Sequence, residues 1–371
     1  MSFRMTGIVG CEFPLFAFSH CRDVVVAVSR AGGFGVLGAT GLTPAQLDRE
    51  LSWIDEHIDG KPYGVDVLMP EHQAVQAGAS HADIAASIPR EHREFVRHLL
   101  TEAGIRPDEE TLNQQRPIGT MIGEAQVEAA FRHPIRLIAN ALGIAPPSMI
   151  EMGKKHGVPV AALVGAKEHA VRQVKAGVDI LVAQGTEAGG HCGEVSTLVL
   201  VPEVLRAIKP IRDVPVLAAG GIMTGRQMAG MMAMGAAGAW TGSVWLATTE
   251  AETNPVFREK MIAATSRDTV RSKLRTGKPS RQLRSAWHDA WEGSGSPGAL
   301  PMPLMTMISE PAFALINKAA ENGNPRAREL VTYFVGQGVG LVEDSRSATA
   351  VVQDYKEEFA EAVGDMMAIA E

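Results

Sequence analysis

Val182-Ala183-Gln184-Gly185-Thr186-Glu187-Ala188-Gly189-Gly190-His191-Cys192-Gly193 joins the end of a short aliphatic run to a loop holding a carboxylate, four glycines and one imidazole. An unbroken apolar run of this length is what a strand covered on both faces needs. The glycines carry no Cβ, so the main chain after the strand can approach a flat ligand closely, and the Gln184 amide can bond a ring carbonyl or nitrogen. His191 is the one side chain of the loop whose ordinary pKa lies near neutrality, which suits a general base acting on a carbon acid. The plainer alternative is a histidine that only orders the loop. Glu187 reads as a loop-structuring carboxylate, and Cys192 as a small packing residue.

Outward from this run, seven more of the same kind occur, giving candidate strands at 13–18, 34–39, 64–69, 137–142, 160–164, 180–183, 216–219 and 238–240. Helix signals lie between most of them: Thr43-Pro44 opens an amphipathic run to Ile58, and Thr224 caps 225–234 before Gly235 stops it. Eight such units predict an α/β fold, a closed (β/α)8 TIM barrel, whose active site forms at the C-terminal ends of the strands. The seventh and eighth runs end in Gly220-Gly221 and Thr241-Gly242-Ser243. Such barrels often hold a phosphate with backbone N–H groups and a hydroxyl of these two turns, the plainer alternative being glycines that only let a helix pack close to the sheet.

Two stretches break the repeat. Residues 71–133 are polar and histidine-rich with a helical core near 90–103, a helical insertion after strand 3. From 266 a Gly/Ser/Pro-rich section with Arg271, Lys273, Arg275, Lys278, Arg281 and Arg284 leads into helices, and 293–298 reads as a loop. The expected organisation is a barrel over 1–265 with a C-terminal loop and helical region, 266–371, packed on it. The basic cluster reads as a solvated face or subunit contact before a phosphate site.

The 371 residues are 46% hydrophobic with a net charge of −7, so a substantial aliphatic core is expected and binding to nucleic acid or an anionic membrane through general positive charge is not. Three cysteines without paired spacing point to a reducing, cytoplasmic setting, and no secretory signal stands at the N-terminus. Residues 227–249 lack charge, but four glycines divide them into helix, turn and strand rather than a membrane span. The glycine runs 31–38 and 336–340 lack the strand–turn–helix order of a nicotinamide fingerprint and read as turns. No metal-ligand spacing is present.

With these loops placed, the chain resembles the nitronate monooxygenases, formerly 2-nitropropane dioxygenases. The matching segments are Ser29-Arg30-Ala31-Gly32-Gly33-Phe34-Gly35, Tyr63-Gly64-Val65-Asp66, Ala183 to His191, and Ala219-Gly220-Gly221-Ile222. The resemblance implies a non-covalent FMN across the barrel mouth, with Ala17, Asp66, Gln184, Gly189, Gly190, Gly220, Gly221, Thr241, Gly242 and Ser243 as its binding set. Gly221, Gly242 and Ser243 would surround its phosphate. It implies that His191 deprotonates a nitroalkane and that O2 completes conversion of the nitronate to a carbonyl compound and nitrite. Phe16-Ala17-Phe18-Ser19, Asp66 and Cys192 depart from the family's usual Ala-Pro-Met, asparagine and arginine.

Flavin-dependent enoyl-acyl-carrier-protein reductases share the Glu-Ala-Gly-Gly-His loop, so an NAD(P)H-dependent reductase of an enoyl thioester or a quinone is the alternative, and residues 253–260 are similar in both. A protein that binds flavin without turnover is a third reading, against which His191 argues. Partners are then a small-molecule substrate with O2 or NAD(P)H; the oligomeric state, a homodimer included, stays open.

Overall fold

The computed structural model describes residues 3–69, 81–113 and 120–370. Eight parallel strands form a closed barrel: β1 Leu15–Ser19, β2 Phe34–Gly38, β3 Tyr63–Val67, β4 Leu137–Asn140, β5 Val160–Val164, β6 Ile180–Gln184, β7 Val216–Ala219 and β8 Gly238–Thr241. Each pairs with the next, and β8 closes on β1 with Ala239 beside Leu15 and Thr241 beside Ala17. These are the eight runs marked in the sequence, with ends moved by at most two residues.

Strand side chains alternate between two cores. Phe16, Phe34, Leu137, Val182, Leu217 and Trp240 point inward and form one cluster, in which Phe16 lies 4.9 Å from Phe34 and 6.0 Å from Trp240 between ring centroids. Met5 and Val9 of the helix Arg4–Val9, together with Cys11, join that cluster fully buried and plug the barrel beneath β1. Burying each large side chain contributes about 1.5–3 kcal/mol. The alternate positions, among them Leu15, Ala17, Val65, Leu181 and Val216, face a second core shared with the surrounding helices. By this alternation Asp66, Gln184 and Ala219 fall on the inner side at the C-terminal ends of their strands.

Local chemistry sets the helices. Thr43 and Gln46 cap helix Pro44–His57 reciprocally, each side chain accepting from the other's backbone N–H at 3.2 and 2.8 Å, with proline at the first position. Thr224 accepts from the N–H of Gln227 at 3.2 Å to start helix Gly225–Ala233, and Gly235, with φ of 103°, lets the chain leave it. The uncharged stretch 227–249 is thus helix, strand β8 and a 3₁₀ turn at Ser243–Ala247. Among the described residues no helix is long and apolar enough to cross a membrane.

Helix Arg90–Glu102, from the expected insertion, contributes Val96, Leu99 and Leu100 to a third core with Trp287 and Trp291 of helix Ala286–Glu292 and Ile308 and Phe313 of helix Leu304–Glu321. The parts of that insertion at 71–80 and 114–119, and the first two residues, lie outside the described residues. The final helix, Ala348–Ala370, returns to the barrel: the Tyr355 hydroxyl donates to the Ile222 carbonyl at 3.1 Å and Phe359 packs on Phe13. One element was not expected. Thr269–Ser272 and Ser280–Leu283 form an antiparallel hairpin whose second strand pairs with Gly190–His191. A two-residue strand of glycine and histidine carries no apolar alternation to announce it.

Candidate active site

The C-terminal ends of the strands open into a cavity of about 1020 Å³. Its wall brings together Asp66 from β3, Gln184 from β6, Gly189, Gly190 and His191 from the following loop, Gly220 and Gly221 after β7, and Thr241, Gly242 and Ser243 at β8. Nine of the ten positions assigned to a flavin therefore share one cavity with His191. The exception is Ala17. Its methyl is fully buried in the core between strands and helices, outside the cavity wall, because position 17 of β1 faces outward; Phe18 and His20 line the cavity there instead.

The last two turns form a cradle. Gly220 and Gly221 have φ of 106° and 74°, conformations that side chains rarely adopt, and a Cβ on Gly220 would lie 2.8 Å from the Thr197 hydroxyl. The N–H groups of Gly221 and Gly242 meet no acceptor among the described residues. Ser243 accepts at Oγ from the N–H of Gly336 at 2.8 Å, which leaves its own proton available to an anion. Thr241 plays another part: its hydroxyl donates to the Phe16 carbonyl at 3.0 Å and receives the Trp245 indole N–H, sealing the junction of β8 with β1.

The His191 loop is clamped from several sides. Glu187 accepts at Oε2 from the N–H of Thr197 at 2.9 Å, the structuring role read from the sequence. Arg281 donates from Nε to the Thr186 carbonyl at 2.8 Å, and the Gln337 N–H donates to the Glu187 carbonyl at 2.8 Å. A Cβ on Gly189 would lie 2.8 Å from the Gly336 nitrogen, so Gly189 has to be glycine for the two loops to nest. Arg275 is buried among Phe313, Tyr333 and Phe334 and bonds Glu310 with both ends of its guanidinium at 2.7 and 3.0 Å, fastening the hairpin to helix Leu304–Glu321. Two arginines of the basic cluster, Arg275 and Arg281, are thus structural anchors rather than a solvated face.

His191 places Nε2 2.8 Å from the Thr276 hydroxyl, which also lies 3.2 Å from the Lys278 carbonyl. Burial, with the Lys278 charge second, pushes the imidazole down to about 4, so it is neutral at physiological pH. Nδ1 has no hydrogen-bond partner among the described residues. His20 is a second neutral imidazole, lowered by burial, whose Nδ1 donates to the Gly38 carbonyl at 2.9 Å. At the rim the fold gathers Cys21, Asp23 and Glu252 within 4.8 Å of one another, a grouping that sequence spacing did not show. The Cys21 thiol already donates to the Glu250 carbonyl at 3.1 Å, and burial raises its pKa.

Thr276, Gly336, Gly338 and His20 were missed as site residues. His20 follows a barrel strand just as His191 does, and the glycines of Gly336-Gln337-Gly338 permit a close approach as well as a turn. Thr276, inside a basic stretch, carried none.

Fold, site and the family to which the chain belongs together define a flavin-dependent oxidoreductase built on a (β/α)8 barrel. The nitronate monooxygenase family model matches residues 4–358, and the chain belongs to that family. A Mycobacterium tuberculosis protein named as a monooxygenase is 51% identical over the full length of both chains. A Staphylococcus saprophyticus protein named as a nitronate monooxygenase is 27% identical, covering 95% of this chain and 96% of its own. Among solved structures, FabK from Thermotoga maritima matches with a TM-score of 0.73 at 25% identity over 100% of this chain and 99% of that one. A nitroalkane oxidase from Streptomyces ansochromogenes matches with a TM-score of 0.79 at 23% identity over 98% and 99%, a likeness of fold.

Proposed function

We propose that this chain is an FMN-dependent nitronate monooxygenase that oxidises alkyl nitronates, and the nitroalkanes they come from, with O2 to a carbonyl compound and nitrite. The observation that carries this reading is that the neutral His191 imidazole and the Gly221–Gly242–Ser243 cradle line a single cavity. FMN fits the residues present. The unpaired amides and the Ser243 proton suit a phosphate, the glycine edge at 189–190 admits a flat ring, and Gln184 can bond its polar edge. When bound, the flavin supplies the electron transfer.

What the chain supplies is proton transfer and orientation. Neutral His191 accepts the α-proton of the nitroalkane as the C–H bond breaks and its electron pair passes into the nitro group. The imidazolium so formed carries hydrogen on both nitrogens. Nε2–H then donates to Thr276, whose own proton turns to the Lys278 carbonyl, and the base that took the proton is Nδ1. The negative nitronate beside the new cation offsets the burial that otherwise disfavours it.

A second reading, an NAD(P)H-dependent reductase of enoyl thioesters, is favoured by the likeness to FabK and by the size of the cavity, whose wall includes the apolar Ile88, Leu112, Met302 and Met307. The test is anaerobic. A nitronate alone bleaching the flavin supports the oxygenase, and NADH or NADPH alone bleaching it supports the reductase. On the first reading His191→Asn keeps the flavin and slows neutral nitroalkanes by about 10²–10⁴-fold, sparing preformed nitronates. Equal loss on both forms removes His191 as the base.

A further inference from the structure

Asp66 stands at the inner face of β3, between Gly38 of β2 and Ala139 of β4, in the wall of the cavity. It is 3% exposed, and its Oδ1 meets no hydrogen-bond partner among the described residues. Among the described residues no lysine, arginine or histidine bonds to it. The described groups around it offer no compensation. From β2 and β4 only Gly38 and Ala139 lie alongside, Gln126 of helix Thr120–Ala130 is uncharged and committed to the Ala39 and Leu42 carbonyls, and Glu124 and Glu128 of that helix face solvent. His20, in the same wall, is neutral, and Arg93 is committed to the Ala85 carbonyl. An ionised carboxylate without a partner in such a place costs several kcal/mol, and the group escapes that cost by holding its proton. Burial alone holds its pKa well above the usual carboxylate range.

We propose that Asp66 works as a neutral carboxylic acid that recognises the cofactor's ring, its O–H donating to a ring carbonyl or nitrogen while its C=O accepts from a ring N–H. A protonated carboxyl presents one donor and one acceptor side by side, as a primary amide does. Aspartate here therefore does the work of an asparagine, with one difference. Raising the pH converts the donor into an anion facing the electron-rich edge of the ring, so retention of flavin becomes sensitive to alkali. The proposal rests on the flavin reading above.

Two measurements on the full-length protein test it. Difference infrared spectroscopy of wild type against Asp66→Asn, at neutral pH, should show a carboxylic-acid C=O band in the wild type that the variant lacks. Dissociation constants for FMN should rise about tenfold or more in the wild type between neutral and alkaline pH, stay level in Asp66→Asn, and be raised at every pH in Asp66→Ala. Absence of the acid band while flavin is bound, or a pH profile in Asp66→Asn parallel to that of the wild type, overturns the proposal and leaves the flavin reading intact. A protein that shows the band but takes up no flavin overturns the flavin reading, and the ring contact with it.

Discussion

Replacing Thr276 by valine removes one hydroxyl and little volume, at a position only 6% exposed. In the neutral enzyme the loss is small. If His191 takes the substrate proton as proposed, the Nε2–H of the resulting imidazolium loses the acceptor it has at 2.8 Å, and water has little access to replace it. A hydrogen bond to a charged group contributes about 1.5–3 kcal/mol, and each 1.36 kcal/mol is tenfold in rate, so kcat/KM for neutral nitroalkanes should fall about 10–10²-fold. Preformed nitronates need no proton removed and should change by less than about threefold. Oxygen consumption with the two substrate forms measures the ratio, and Thr276→Ser, which keeps the hydroxyl, should restore it. Loss of the Lys278 contacts should cost about 1 kcal/mol of stability, visible in the melting temperature rather than in the ratio. The reasoning fails if valine slows both forms alike, or if serine does not rescue.

Gly221→Val should release the flavin, because a β-branched side chain at φ of 74° costs about 1–3 kcal/mol and lies against Glu187 in the cradle; full flavin content in the purified variant would remove Gly221 from the site. His288 is fully buried, its Nδ1 accepts from the Ser285 N–H at 3.2 Å, and burial pushes its pKa down to about 4 from an ordinary 6.5. The unfolded chain binds that proton first, so the stability is complete above pH 6.5 and is lost as the pH falls toward 4, by about 2 kcal/mol at pH 5. Urea unfolding at pH 7 and pH 5 should show a smaller difference in His288→Gln than in the wild type, and an unchanged difference refutes the assignment.

The barrel was legible because doubly covered strands are written in unbroken apolar runs, and these recur here eight times. The cavity wall was legible for a related reason: glycine pairs and a lone imidazole directly after strands 6, 7 and 8 are the places where such a fold exposes chemistry. Ala17, which the resemblance implied, falls outside the cavity wall because the pleat sends alternate residues to opposite faces. Thr276 and Gly336 were hidden for a deeper reason. They reach His191 and Ser243 across long stretches of chain, through a hairpin and a nested loop whose pairing depends on the barrel being in place, and no local pattern encodes that meeting. Arg275 and Arg281 looked like surface charge because composition cannot tell a solvated guanidinium from one folded inward onto carbonyls and rings.

The pairing of Gly190–His191 with a strand that begins at Ser280, and the seat that Gly336 takes against Gly189, set an order of events during synthesis. A ribosome completes every barrel stave by Thr241, yet it must add about a hundred more residues, on the order of ten seconds of translation, before both Ser280 and Gly336 can pack against the loop that carries His191. A half-made chain can therefore hold every barrel strand while the loop that carries His191 still lacks the partners that fix it.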